Sequence, residues 1–150
     1  MPAFITFGRI LFAVLFIFSG ASKLLNLTAT AQMTEKIVIP AALATYTSQL
    51  EGVTGMSTPQ MLAIAAGAVE LICGIMIALN FGARFFAIVL ILFVAAATFY
   101  YHDFWNQTGA DGTNNLIHAL KNLSLIGALF MIAGYRKVSH AGEPAYSSDV

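Results

Sequence analysis

Charge is what this chain has least of: only 9% of its 150 residues are Asp, Glu, Lys or Arg, where soluble domains carry about 25%. Too few side chains remain to hydrate the exterior of a soluble domain. Seven basic residues balance seven acidic ones, which removes the cationic surplus that nucleic-acid binding relies on. Cysteine occurs once, at Cys73. That excludes an intramolecular disulfide, dithiol chemistry and a Cys-rich zinc site. Any redox role must therefore borrow its electrons from a bound cofactor or a partner.

What the chain has in abundance is apolar length. Hydrophobic residues make up 59% of it, and the mean hydropathy is +0.81. A helix crossing a bilayer needs about 20 mostly apolar residues. Four stretches meet that need, at about residues 5–27, 59–79, 83–101 and 116–135. The fold class expected is all-α, an integral membrane four-helix bundle with a short amphipathic segment between helices 1 and 2. Pro59 suits a first helical turn, and Asn80-Phe81-Gly82 is a turn so short that its flanking helices must be antiparallel neighbours. A cleaved signal peptide is the competing reading of the first stretch, but apolar character resumes at Leu24-Leu25.

The first connection is the least regular part of the chain. Met33, Ile37, Val38, Ala41 and Ala42 fall near one helical face, with Glu35 and Lys36 off it and Pro40 interrupting. They read as the amphipathic segment, lying at the bilayer interface, or as an ordinary loop. The connection from His102 to Asn115 is polar, and residues 136–150 form a polar tail expected to be disordered. With four spans, both termini share a side with the Asn80–Gly82 turn. That side carries Arg9, Arg84, Arg136 and Lys137, and the opposite connections carry Lys36 beside Glu35, Glu51, Asp103 and Asp111. The bias of positive charge places both termini in the cytoplasm. Arg9 and Arg84 are thus structural or interface charges.

Glu70 stands apart, because it lies about ten residues, roughly 15 Å, from either end of its span. Placing a charge there costs about 2.5–3.5 kcal/mol on insertion scales. Ala66, Gly67, Gly74 and Ala78 share its side of the helix, and small residues admit a neighbouring helix, so Glu70 should face the bundle. Lys23 one turn after Ser19, His102 and Asp103 after the third span, and His118, Lys121 and Asn122 on the fourth all lie toward the same outer end. Together they form a candidate polar cluster with Glu70 at its floor. Glu70 and His118 are candidate proton carriers, and Lys23, Glu70, His102, Asp103, Lys121 and Asn122 are candidates for ligand binding. The plainer readings are that Lys23 snorkels, that His102, Asp103 and Trp105 mark the aqueous boundary, and that Glu70 and Lys121 form a register-setting ion pair. His102, Asp103 and His118 are too weakly patterned to count as a metal site, so no metal is expected.

Several of these motifs resemble the DoxX family of small bacterial membrane proteins: Gly8-Arg9-Ile10-Leu11-Phe12 leading to Ser19-Gly20-Ala21-Ser22-Lys23-Leu24, Val69-Glu70-Leu71-Ile72-Cys73-Gly74, Ala83-Arg84, His102-Asp103-Phe104-Trp105 and Leu120-Lys121-Asn122-Leu123. The resemblance implies a four-helix bundle in the bacterial inner membrane. The family takes its name from a membrane subunit of a thiosulfate:quinone oxidoreductase, so it also implies quinone as a cofactor and a soluble or membrane redox partner. Binding or transport of a small lipophilic or anionic solute, and a structural or assembly role, are the alternatives. Besides the lipid bilayer, a second copy is a further partner to consider, because the small-residue faces suit a homo-oligomer as well as internal packing.

Overall fold

A computed structural model describes residues 2–135. All regular structure among them is helical, in the order α1 (Pro2–Leu25), α2 (Leu27–Thr34), α3 (Ala44–Thr54), α4 (Thr58–Ala78), α5 (Ala83–Tyr101) and α6 (Gly109–Gly134), with single 3-10 turns at Ala41–Leu43 and Phe104–Asn106. Helices α1, α4, α5 and α6 are long and apolar enough to cross a membrane. The C-terminal tail, with Arg136 and Lys137, lies outside the described residues.

Local chemistry explains the helix boundaries. At the start of α4, Gln60 reaches back to accept from the Ser57 N–H at 3.0 Å. One Glu51 oxygen accepts from both the N–H and the hydroxyl of Thr58, each at 2.7 Å. These bonds satisfy donors that the helix itself cannot. The α4–α5 turn needs left-handed backbone at Asn80 (φ 59) and Gly82 (φ 56), which Asn and Gly tolerate best. Between α1 and α2 the chain bends at Asn26, and the Thr30 hydroxyl lies 3.2 Å from the Lys23 carbonyl and 3.0 Å from that of Asn26.

Helix α6 begins at Gly109, seven residues before the expected start near Leu116. The run from Gly109 to Asn115 is polar enough to read as a loop, yet Asp111 in the first turn complements the helix dipole. Hydropathy locates the edge of the hydrocarbon, and this helix continues past it. In the first connection, helix α2 ends at Thr34 and α3 starts at Ala44. The stretch around Pro40, read as an amphipathic segment that Pro40 interrupts or as an ordinary loop, separates these two helices.

Packing runs α1 on α4, α4 on α5 and α5 on α6, with α2 continuing along α4. The α1–α4 contact is backbone to backbone. A Cβ on Gly20 would stand 2.5 Å from the Leu71 nitrogen and 2.6 Å from the Gly67 oxygen. Small residues permit such close approach between helices in lipid. At the far end of the bundle, Arg84 Nε donates to the Ala133 carbonyl at 2.8 Å, satisfying the last turn of α6.

The core gathers Ala13 and Phe16 of α1, Cys73 and Ile77 of α4, Ala83, Ala87, Leu90 and Val94 of α5, and Leu129 of α6. These residues occupy the half of the bundle nearer the α4–α5 turn. The same inward stripes change character beyond it. On α1 the heptad spacing Ala13, Phe16, Gly20 leads to Lys23. On α4 Ile77 and Cys73 lead to Glu70, and on α6 Leu129 and Leu125 lead to the half-buried Asn122, with His118 exposed one turn further on. The polar side chains of these stripes thus fall in the half away from that turn, beside the buried Gly67 and Ala63 of α4.

Candidate functional site

Glu70 is buried, with its side chain 8% exposed, and one of its oxygens takes the Lys23 ammonium at 2.6 Å. The Ser19 hydroxyl donates to the same oxygen at 2.9 Å, and Lys23 also donates to Ser19 Oγ at 2.6 Å. The triangle forms because Ser19 and Lys23 stand one turn apart on α1, and Gly20 between them lets α1 press against the turn of α4 that carries Glu70. Glu70 is roughly 18 Å from Thr58 and roughly 12 Å from Ala78 at helical rise. The pair therefore sits well inside the membrane.

Its attraction is substantial: at 2.6 Å and an effective dielectric constant near 20, Coulomb's law gives about 6 kcal/mol. Desolvating two charges costs several kcal/mol each, so the net contribution to stability is small. What the triangle leaves open is more informative. Lysine has three N–H donors; two are used, and its side chain is 30% exposed. Glu70 Oε1 accepts no hydrogen bond from the described residues, while Oε2 accepts two. A donor and an acceptor thus stand side by side at mid-membrane depth.

The ion pair of Glu70 with Lys121, one of the readings left open by the sequence, is not what the structure shows. Helix α6 packs on α5; Lys121 is exposed and forms no ion pair among the described residues. The broader candidate cluster divides in two. Lys23 and Glu70 meet at the α1–α4 contact, whereas His102, Asp103, His118 and Asn122 belong to the end of the α5–α6 pair.

That second group has its own order. Asp103 Oδ1 accepts from Gln107 Nε2 at 2.6 Å, Gln107 Oε1 accepts from Asn115 Nδ2 at 2.5 Å, and Asn115 Oδ1 lies 3.1 Å from His102 Nδ1. An amide oxygen only accepts and an amide NH2 only donates, so the side-chain amides of Asn115 and Gln107 both donate in the direction of Asp103. The His102 ring stacks on that of His118, with centroids 5.0 Å apart and planes 10° apart. One turn deeper, Asn122 donates to the Thr98 hydroxyl at 2.9 Å. Beside this network lies a polar recess of about 410 Å³ lined by Gln107, Thr108, Asp111, Asn114 and Asn115. A smaller, apolar groove of about 280 Å³ runs between α5 and α6 past Thr98, Phe104, Leu116 and Leu120.

Gln107, Asn115 and Thr98 were not singled out from the sequence: the first two read as loop polarity, and Thr98 as one small residue in an apolar run. Nothing in their spacing marks them, since their roles depend on how α5 and α6 pair. Ser19 had a signal, its four-residue separation from Lys23. Of the two structural arginines, Arg84 caps α6, while the buried Arg9 Nε has no partner among the described residues. No group of three metal-ligating side chains exists among the described residues. Cys73 is free and buried.

Outside the spans, Glu51 has its pKa held below the usual carboxylate range by the two Thr58 hydrogen bonds, the hydroxyl contact contributing most.

Comparison with known proteins agrees with this architecture. The chain is 27% identical over 132 residues to the inner membrane protein YphA of Escherichia coli K12, an alignment covering 88% of this chain and 82% of the relative. No solved structure matches it. The DoxX family model matches residues 4–103, which include the Ser19–Lys23–Glu70 triangle and Asp103. This multi-pass inner-membrane protein belongs to the DoxX family.

Proposed function

We propose that the chain is a quinone-linked accessory subunit of a membrane oxidoreductase, in which Ser19, Lys23 and Glu70 hold the polar head of a quinone-like lipophile. The observation that carries this reading is the pairing, inside the membrane, of a Lys23 N–H and a Glu70 oxygen that have no partner among the described residues. Such a pair matches a head group that accepts hydrogen bonds as a carbonyl and donates them as a hydroxyl. When bound, a quinone supplies the two-electron acceptor that the chain lacks, becoming a quinol with two protons, and a partner redox protein supplies the electrons.

The chain's own residues bind, orient and handle protons. Lys23 donates to a carbonyl oxygen, and Ser19 keeps the ammonium in place. Glu70 neutralises Lys23 and can exchange a proton through Oε1. The half of the bundle that carries these polar side chains opens on the side opposite the termini, which in this reading is the non-cytoplasmic side. His102, Asp103 and His118 lie toward that same side, at the end of the α5–α6 pair. An exposed Lys121 supports a second reading, in which the ligand is a small anionic solute and Lys121 neutralises it.

The test is organic extraction of the gently purified protein, with quinones quantified by mass spectrometry, for wild type and Glu70→Gln. A charge-assisted hydrogen bond contributes about 1.5–3 kcal/mol, so the variant should retain about tenfold less quinone than a near-stoichiometric wild type while keeping its helical content. Equal quinone in both would remove Glu70 from the site. Quinone at the level of a detergent-matched control membrane protein in both would turn the assignment toward the anionic solute.

A further inference from the structure

Helix α3 and the Leu43 that precedes it carry a row of large apolar side chains that nothing among the described residues covers. Leu43, Tyr46, Leu50 and Val53 follow one another at three- and four-residue spacing, and they are 48%, 65%, 52% and 86% exposed. Ser48 lies opposite this row, Gln49 flanks it with Thr45 beyond, and Thr47 and Glu51 are the half-buried members on the side toward the bundle. The helix is held at its C-terminal end. Glu51 binds Thr58 at the first turn of α4, and Gly55, in the left-handed conformation (φ 68), turns the chain directly into that helix. Upstream, α2 is fixed to the same level by the Thr34 hydroxyl, 2.7 Å from the Pro59 carbonyl.

That level is the edge of the hydrocarbon. Helix α4 has 21 residues and spans about 30 Å at helical rise, which matches the apolar thickness of a bilayer. A helix tied to its first turn lies between acyl chains and head groups. We infer that α3 is an interfacial anchor, and that Leu43, Tyr46, Leu50 and Val53 insert into the bilayer surface on the side opposite the termini. The occupant of the exposed row is lipid rather than a protein, because Glu51 ties the helix to the first turn of a membrane-spanning helix, the level at which the chain meets lipid. Helix α3 contains no Lys or Arg, so insertion follows apolar area and does not depend on anionic lipid. Tyr46 has the mixed apolar and polar character that suits this depth.

The experiment places a single tryptophan on the row, with Tyr46→Trp in a Trp105→Phe background, and measures its fluorescence in phosphatidylcholine vesicles. Lipids brominated near the carbonyl end of the acyl chain should quench it strongly, and its emission should lie to the blue of exposed tryptophan. Doping the vesicles with phosphatidylglycerol should leave both unchanged. Val53→Trp in the same background should behave alike, which guards against failure of one variant to fold. Emission that brominated lipid leaves untouched and aqueous iodide quenches would overturn the inference. Quenching that appears only with anionic lipid would do so too, as would protection from both quenchers, the signature of a protein-covered face.

Discussion

Consider removing the two halves of the ion pair separately. Lys23→Met strands the Glu70 carboxylate, 8% exposed, in the interior, whereas Glu70→Leu leaves an ammonium that is 30% exposed and can turn toward water or head groups. Breaking a buried pair from one side costs about 3–5 kcal/mol, so Lys23→Met should lie near the top of that range and Glu70→Leu below it. Replacing both should restore much of the loss, because the roughly 6 kcal/mol of attraction mostly offsets desolvation that the apolar pair never incurs. The double variant should fall within about 1–2 kcal/mol of wild type. Reversible unfolding in bicelles, measured for the four proteins of the cycle, gives the coupling energy directly. Additive losses would refute the reasoning, because they would mean that the two charges do not see each other in the folded membrane protein.

Two further predictions follow from particular contacts. Gly20→Ala should destabilise the fold by about 1–3 kcal/mol, since the new methyl would overlap α4 backbone; Gly127→Ala, with nothing near its Cβ, should be neutral or slightly stabilising by helix propensity. Unfolding midpoints in the same bicelles compare the two. At the α3–α4 junction, the lowered Glu51 pKa means that its contribution is present above the ordinary carboxylate value of 4.5 and is lost as pH falls through the lower folded value. Protection of the Thr58 amide from hydrogen exchange should fall on acidification in that window and be absent at all pH values in Glu51→Ala.

The sequence made Glu70 legible for a simple reason: a carboxylate flanked by small residues in the centre of an apolar run has few explanations. Its partner was harder to read. Lys23 and Lys121 both sit on spans toward the same outer end, and choosing between them requires knowing that α1 rather than α6 lies against α4. Gly20 carried a hint of that, but close approach becomes visible only when the facing Gly67 and Leu71 are in place. The α6 boundary was obscured because hydropathy reports the solvent around a helix and not its hydrogen bonds. The hydrogen-bond chain from His102 to Asp103 runs through Gln107 and Asn115, whose roles are created by the pairing of α5 with α6. Helix α3 was hidden by Pro40, which broke the pattern just before its apolar row began.

The most direct measurement is solid-state NMR of the protein in bilayers, with lysine ammonium nitrogens and glutamate carboxyl carbons labelled and their dipolar couplings recoupled. The chain has four lysines, and Lys→Arg replacements assign them one by one. The account predicts a strong coupling between Lys23 and Glu70, as a 2.6 Å contact requires, and none between Lys121 and Glu70. A Glu70 coupling that survives Lys23→Arg and disappears with Lys121→Arg would contradict it.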